Sequence, residues 1–257
     1  MGTFLVTGGT GVLGRIVVER LREQGHDVRV LSRRAGAGTH VGDLATGAGL
    51  AEAVAGVDGI VHAASESRKM GRADVTQTDT VIRAATQARI GHLLYVSIVG
   101  IDRLPFRYYR NKLACEQRII GSGVPHTILR ATQFHELLGS ILRTVEPLPI
   151  TPLPLNFQFQ PVAAAEVAGR AAELIAGPPT GLAPDFGGPE VLTLRQLVDT
   201  WHTLSPRPRR VFQLPLPGRI ARGFRAGYNT CPDQAVGVRT WADYVGSAPA
   251  DAYSPGV

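Results

Sequence analysis

Residues 7–14 read TGGTGVLG, and this stretch decides the fold. The apolar run Phe4, Leu5, Val6 enters it, and Val12, Ile16, Val17 and Leu21 leave it on one helical face, so strand, glycine loop and helix follow without a break. Gly8, Gly11 and Gly14 give the spacing GxxGxxG. Glycines there permit a tight turn and let backbone N–H groups come close to a pyrophosphate, while the helix N-terminus contributes the equivalent of roughly +0.5 charge. Thr10 adds a hydroxyl donor, and Val12 and Leu13 complete the loop. The implied ligand is a dinucleotide; the bland alternative is a glycine-rich turn that binds nothing.

Working outward, apolar runs alternate with helical periods through the first half of the chain, the signature of parallel strands joined by crossover helices. Strands are predicted at residues 3–6, 28–31, 39–42, 59–62, 92–97 and 127–129, and helices at 12–24, 50–54, 75–88 and 107–120. The fold class is α/β: a Rossmann, doubly wound, mainly parallel sheet whose ligands belong at the carboxyl ends of the strands. After about residue 146 the proline-rich stretch PLPITPLPLN changes the texture. Beyond it, 157–162 reads as a strand, 163–176 as an amphipathic helix, 183–191 as strand and turn, and 194–204 as another helix. These pieces are too few for an independent domain. Residues 1–146 are therefore expected to form the dinucleotide-binding domain, and 147–257 a small C-terminal capping lobe that packs on it and shapes a substrate pocket.

Composition narrows the function classes. A chain of 257 residues with 44% hydrophobic and 19% charged residues can bury a substantial core and leaves little room for extended disorder. Cys115 and Cys231 are too few for a disulfide framework and too far apart in sequence for a zinc site, which excludes a metal centre of that kind and fits a reducing cytoplasm. The start MGTFLVTGGT enters a strand at once, and no apolar run reaches about 18 residues, so neither secretion nor membrane insertion is expected. The net charge of +6 comes from scattered arginines, the PRPRR stretch at 206–210 and Arg219, Arg222 and Arg225 at helical spacing. A solvated face explains them, and no nucleic-acid partner is expected.

Cofactor choice is set where the second strand ends. An acidic residue there would hold a ribose 2′-hydroxyl and repel a 2′-phosphate. The sequence instead reads VLSRR, so that Ser32, Arg33 and Arg34 offer one hydroxyl and two fork-shaped cations suited to a phosphate dianion. NADP(H) is favoured over NAD(H), which stays open; an arginine that stacks on adenine or faces solvent is the alternative reading.

With these residues in view, the chain resembles the atypical, NmrA-like members of the short-chain dehydrogenase/reductase superfamily, related to isoflavone reductases and NADPH:quinone oxidoreductases. The resemblance runs through most of the chain: TGGTGVLG, GDL at 42–44, HAAS at 62–65, DVTQTDTVIRAA at 74–85, LYVSIVGID at 94–102, RATQFHELL at 130–138 and GVRTWADYV at 237–245. It implies that Asp43 and Leu44 lie near adenine, that Ala63, Ala64 and Ser65 line the cofactor, and that Phe134 packs beside the nicotinamide. Tyr108 and Lys112 form a YxxxK spacing on one helix face. In the superfamily's reductases a lysine so placed holds the nicotinamide ribose and lowers the tyrosine pKa, the tyrosine exchanges a proton with the substrate, and a serine corresponding to Ser97 orients the substrate oxygen. Tyr108 has a second reading as a pocket-lining aromatic, with Tyr109 beside it, and His135 reads as a satisfied polar residue. The implied function is an NAD(P)H-dependent oxidoreductase, NADPH favoured, that reduces a small carbonyl, quinone or enone compound. A dinucleotide-binding redox sensor without turnover, and a non-redox isomerase or cyclase on the same fold, are the alternatives. The substrate and the oligomeric state are open.

Overall fold

The computed structural model describes residues 1–36, 38–66, 69–145, 150–203 and 210–247. The boundary at 146–147, the first residues of the proline-rich stretch, the end of the helix expected at 194–204 and most of the 206–210 arginine run lie outside them.

Seven parallel strands form the central sheet in the order β3-β2-β1-β4-β5-β6-β9. They are β1 (Thr3–Thr7), β2 (Asp27–Ser32), β3 (Thr39–Val41), β4 (Gly59–His62), β5 (His92–Ile98), β6 (His126–Ala131) and β9 (Gly181–Leu182). The order turns around between β1 and β4, which opens a crevice at their carboxyl ends, the place where open α/β sheets bind ligands. Side chains alternate across this sheet. Phe4, Val6, Val61, Leu94, Val96, Leu129 and Ala131 face one side, and Leu5, Ile60, Leu93, Tyr95 and Ile128 face the other.

On the first side lie α1 (Val12–Glu23) and α6 (Ala164–Ala176). On the second lie α2 (Leu50–Val54), α3 (Asp74–Gln87) and α4 (Arg107–Gly121). Helix α6 reads AAEVAGRAAELIA, and its small buried face of Ala168, Ala171 and Ala172 lets it come close to Val17, Val18 and Leu21 of α1.

A second cluster gathers α5 (His135–Val145), α7 (Leu194–His202) and α9 (Trp241–Ser247) around Leu138, Leu142, Leu197, Val198, Trp241 and Tyr244. Thr193 caps α7 in a capping box with Gln196. Two small sheets complete this part: β7 (Ile150–Leu153) pairs with β11 (Arg210–Gln213), and β8 (Gln158–Phe159) with β10 (Leu192–Thr193). Helix α8 (Arg219–Arg225) adds Phe224, which stacks on Phe157 at 5.2 Å. Packing, as distinct from the change of texture near residue 146, groups α5 with these later helices and returns α6 and β9 to the sheet.

Among the described residues no helix is long and apolar enough to cross a membrane, and no group of His, Cys, Asp and Glu is placed to hold a metal ion. Both cysteines are free thiols.

Candidate active site

The loop between β1 and α1 sits at the sheet's turning point, held by its glycines. Gly8 adopts φ +71°, and a Cβ there would lie 2.7 Å from the Ala64 backbone, so the loop rests directly on the chain leaving β4. A Cβ on Gly14 would drive into the Gly8 carbonyl, which makes the first turn of α1 and the loop a single packed unit. Gly11 N–H donates to the Gly8 carbonyl at 2.9 Å, and Gly11 occupies the N-cap of α1 with no side-chain cap and no acidic residue in the first turn. Thr10 is exposed, Val12 is half-buried and Leu13 is in the core. The positive end of α1 thus faces the crevice with its N–H groups uncapped by side chains, a cradle that fits a dinucleotide pyrophosphate.

At the end of β2, Ser32 Oγ accepts the Arg34 N–H at 3.1 Å and so shapes the turn. Arg33 and Arg34 are exposed, and neither takes part in an ion pair among the described residues. Asp43 Oδ1 accepts the Ala45 N–H at 2.8 Å while Leu44 is buried beneath.

Polar groups converge under the carboxyl ends of β4 and β5. His62 is buried between Thr7 Oγ1, 2.7 Å from Nδ1, and Thr78 Oγ1, 3.1 Å from Nε2. Burial, assisted by the charge of Lys112, lowers its pKa to about 3 and keeps the ring neutral. Lys112 is 3% exposed; its Nζ donates to the Val96 carbonyl at 2.8 Å and lies 4.2 Å over the Tyr95 ring. Burial lowers its pKa, and the negative side of Asp74, Cys115 and Glu116 opposes that. Ser97, one residue past the carbonyl that Lys112 holds, is 3% exposed, and its Oγ has no hydrogen-bond partner among the described residues. Ser65 Oγ, exposed beyond Ala63 and Ala64, lies 2.8 Å from Tyr108 OH and donates to Asp74 Oδ2 at 2.6 Å.

The C-terminal part closes over the same edge. A Cβ on Gly100, after β5, would collide with the Tyr228 carbonyl; Gln133, after β6, donates to the Asn229 carbonyl at 2.9 Å. Half-buried Phe134 pairs with Val162 in an isolated bridge. His135 is fully buried between Trp241 and Tyr244, with ring centroids 5.9 and 5.2 Å away. Burial and the charge of Arg239 lower its pKa to about 4. Arg103, whose guanidinium lies 4.1 Å over the Tyr228 ring, borders a cleft of about 550 Å³ with Gln158, Val191, Gly227 and Cys231.

The structure therefore brings Ser65, Tyr108, Ser97 and Lys112 around the ends of β4 and β5, leaves Arg33 and Arg34 at the rim beyond β2, and encloses His135 beside Trp241 and Tyr244 in the cluster of α5, α7 and α9. Sequence reasoning passed over Asp74, which sat in plain view in DVTQTD, and Asn111, whose Nδ2 donates to the carbonyls of Met70 and Gly71 at 2.8 and 3.1 Å. No local signal marks a contact with carbonyls 40 and 41 residues away.

Fold and site together define a dinucleotide-binding α/β protein. A family model described as NAD(P)H-binding matches residues 8–138, and the chain belongs to that family, in its NmrA-like, atypical short-chain dehydrogenase/reductase branch. It is 30% identical over 226 residues, 82% of this chain and 76% of the relative, to the (4-alkanoyl-5-oxo-2,5-dihydrofuran-3-yl)methyl phosphate reductase of Streptomyces griseus. It is 32% identical over 150 residues, 46% of each chain, to the 2-alkyl-3-oxoalkanoate reductase of Stenotrophomonas maltophilia, so the chain spans less than half the length of that relative. The fold matches that of the NADPH-dependent quinone oxidoreductase of Escherichia coli complexed with NADPH, with a TM-score of 0.79, 21% identity and coverage of 95% and 98% of the two chains. The chain thus belongs to an NAD(P)H-binding family, and both of these curated relatives are named as reductases.

Proposed function

We propose that this protein is an NADPH-dependent reductase of a small carbonyl, quinone or enone compound. The observation that carries the reading is Ser97 Oγ: buried, unpartnered among the described residues and set at the carboxyl end of β5, beside the strand ends that the glycine loop serves. A buried hydroxyl with no acceptor is costly unless a ligand supplies one, and a substrate oxygen is such an acceptor.

When bound, the nicotinamide supplies hydride. The protein's own contribution is placement and electrostatics. The N–H groups of Gly8 and of the start of α1 bind the pyrophosphate, with Gly11 leaving room for it, and Arg33 and Arg34 with Ser32 grip the 2′-phosphate that distinguishes NADPH. Asp43 and Leu44 border the adenine, while Ala63, Ala64 and Ser65 line the cofactor along the end of β4. Lys112 uses one proton on Val96 O and has others for the nicotinamide ribose. Phe134 walls the nicotinamide, and Ser97 donates to the substrate oxygen. The elements from residue 150 onward other than α6 and β9, together with α5, serve as the cap, and the cleft beside Arg103 admits the substrate. The names of the relatives, an unsaturated oxo-furan phosphate reductase and a 3-oxoalkanoate reductase, support a carbonyl-conjugated or carbonyl acceptor.

The test is cofactor oxidation, followed by absorbance, with a panel of quinones, enones, aldehydes and ketones and with NADPH and NADH in parallel. NADPH consumption by at least one class, faster than with NADH, is the expected result. Tight NADPH binding with no turnover across the panel would replace the reductase with a redox sensor. Product formation without net NADPH loss would replace it with an isomerase or cyclase.

A further inference from the structure

The hydroxyl of Tyr108 belongs to a chain of hydrogen bonds whose direction can be worked out. Ser65 Oγ is 2.6 Å from Asp74 Oδ2 and 2.8 Å from Tyr108 OH. A carboxylate oxygen only accepts, and a serine has one proton to give. That proton is spent on Asp74. The contact between Ser65 and Tyr108 is then a hydrogen bond only when the phenol donates. Asp74 is itself fixed: it is 2% exposed, and its other oxygen, Oδ1, accepts the Glu66 N–H at 2.8 Å. Asn111, on the helix that carries Tyr108, ties down the backbone at Met70 and Gly71, just before Asp74.

We infer that Asp74 is a positioning residue which, through Ser65, commits the phenolic proton of Tyr108 to Ser65, so that Tyr108 meets its ligand as a hydrogen-bond acceptor. Joined to the reductase reading, on which this part rests, the arrangement selects a substrate class. A ketone reduced by hydride needs a proton delivered at the attacked carbonyl oxygen, and Tyr108 does not hold one for it. An enone or quinone takes hydride at one atom and leaves the electron pair on a more distant oxygen, to which water gives the proton. Hydride from the cofactor and a proton from solvent then balance the reduction.

The decisive variant is Asp74→Asn. The Glu66 N–H keeps the amide oxygen on its own side, so the amide nitrogen faces Ser65 and donates to it. Ser65 must then turn its proton toward Tyr108. A donor on the phenol oxygen and the loss of a carboxylate both favour the phenolate. In the cofactor-free protein, the phenolate absorbance of Tyr108, isolated by subtracting the same protein carrying Tyr108→Phe, should appear about 1 pH unit lower in Asp74→Asn than in wild type. Among the described residues the other ionisable groups coupled to this cluster, Tyr109, Lys112 and Cys115 on α4 and Tyr95 on β5, are unchanged between the two proteins, and burial keeps both tyrosines protonated. Ser65→Ala, at an exposed position, should move the titration the same way by less, and it serves if Asp74→Asn does not fold. Unmoved titrations in the folded variants overturn the relay. In turnover, Tyr108→Phe in the wild-type background should cost quinone or enone reduction in KM rather than in kcat, and a kcat loss of about 10²-fold would overturn the acceptor role. Moved titrations without turnover on any acceptor would leave the relay standing and remove the reductase.

Discussion

At the scale of single residues, the two arginines after β2 carry the clearest chemical statement. Ser32 and the backbone of Arg34 shape a turn that leaves both guanidinium groups exposed, and exposure means that any energy they contribute to binding comes from a ligand rather than from the fold. Charged hydrogen bonds of about 1.5–3 kcal/mol each would serve only a 2′-phosphate. Replacing Arg33 and Arg34 together by alanine should therefore weaken NADPH by 10²-fold or more in calorimetric titration and leave NADH nearly unaffected. Equal losses would mean that the arginines hold a part common to both cofactors. The place of these two residues just after β2 was legible because the strand that precedes them is apolar and regular. The Asp74–Ser65–Tyr108 chain was not, since it depends on which proton points where, and spacing in a sequence carries no information about that.

Between elements, the join of β1, loop and α1 separates two jobs that glycine performs. Gly11 has φ −81° and ψ 175°, an extended conformation open to any side chain, and a Cβ there would meet only the Gly8 carbonyl at 3.3 Å. Gly14 has no such room. Gly11→Val should fold with a thermal midpoint within a few degrees of wild type yet lose dinucleotide binding, because the branched side chain stands where the pyrophosphate approaches. Gly14→Ala should instead lower the thermal midpoint sharply, as overpacking against backbone does. A destabilised Gly11→Val that still binds would reverse the assignment. Elements of this half were readable almost to the residue: 59–62 and 50–54 match β4 and α2, and 107–120 falls one residue short of α4. Their periodicity reports burial on a sheet. Helices α5 and α9 were not predicted, because each is short or amphipathic against partners far along the chain, and the burial that would explain their pattern appears only once α5, α7 and α9 are packed together, whereas α8 showed itself only in the helical spacing of Arg219, Arg222 and Arg225.

Across the whole molecule, two buried histidines link protonation to folding. His62 is neutral beneath the sheet's carboxyl edge, with a pKa of about 3, and His135 is neutral between Trp241 and Tyr244, at about 4. In the unfolded chain both return to about 6.5. Between those values the unfolded state binds more protons, so stability is fully present above about pH 6.5 and falls as the pH drops toward 4, by up to about 1.4 kcal/mol per pH unit for each histidine. Urea unfolding should show a midpoint clearly lower at about pH 5 than at about pH 7.5, and coincident midpoints would contradict the burial of both rings. The packing of α6 against α1, and of β9 beside β6, has a consequence for synthesis. As the chain leaves the ribosome, the first six strands can assemble once β6 has emerged, but the stripe of Val17, Val18 and Leu21 is covered only on its sheet side until α6 follows, and β6 has no outer neighbour until residue 182 is made. The nascent chain must extrude α5, β7 and β8, whose partners α7, β11 and β10 come later still, while part of the sheet is open on one face, and that interval is when a holding chaperone would find its binding surface.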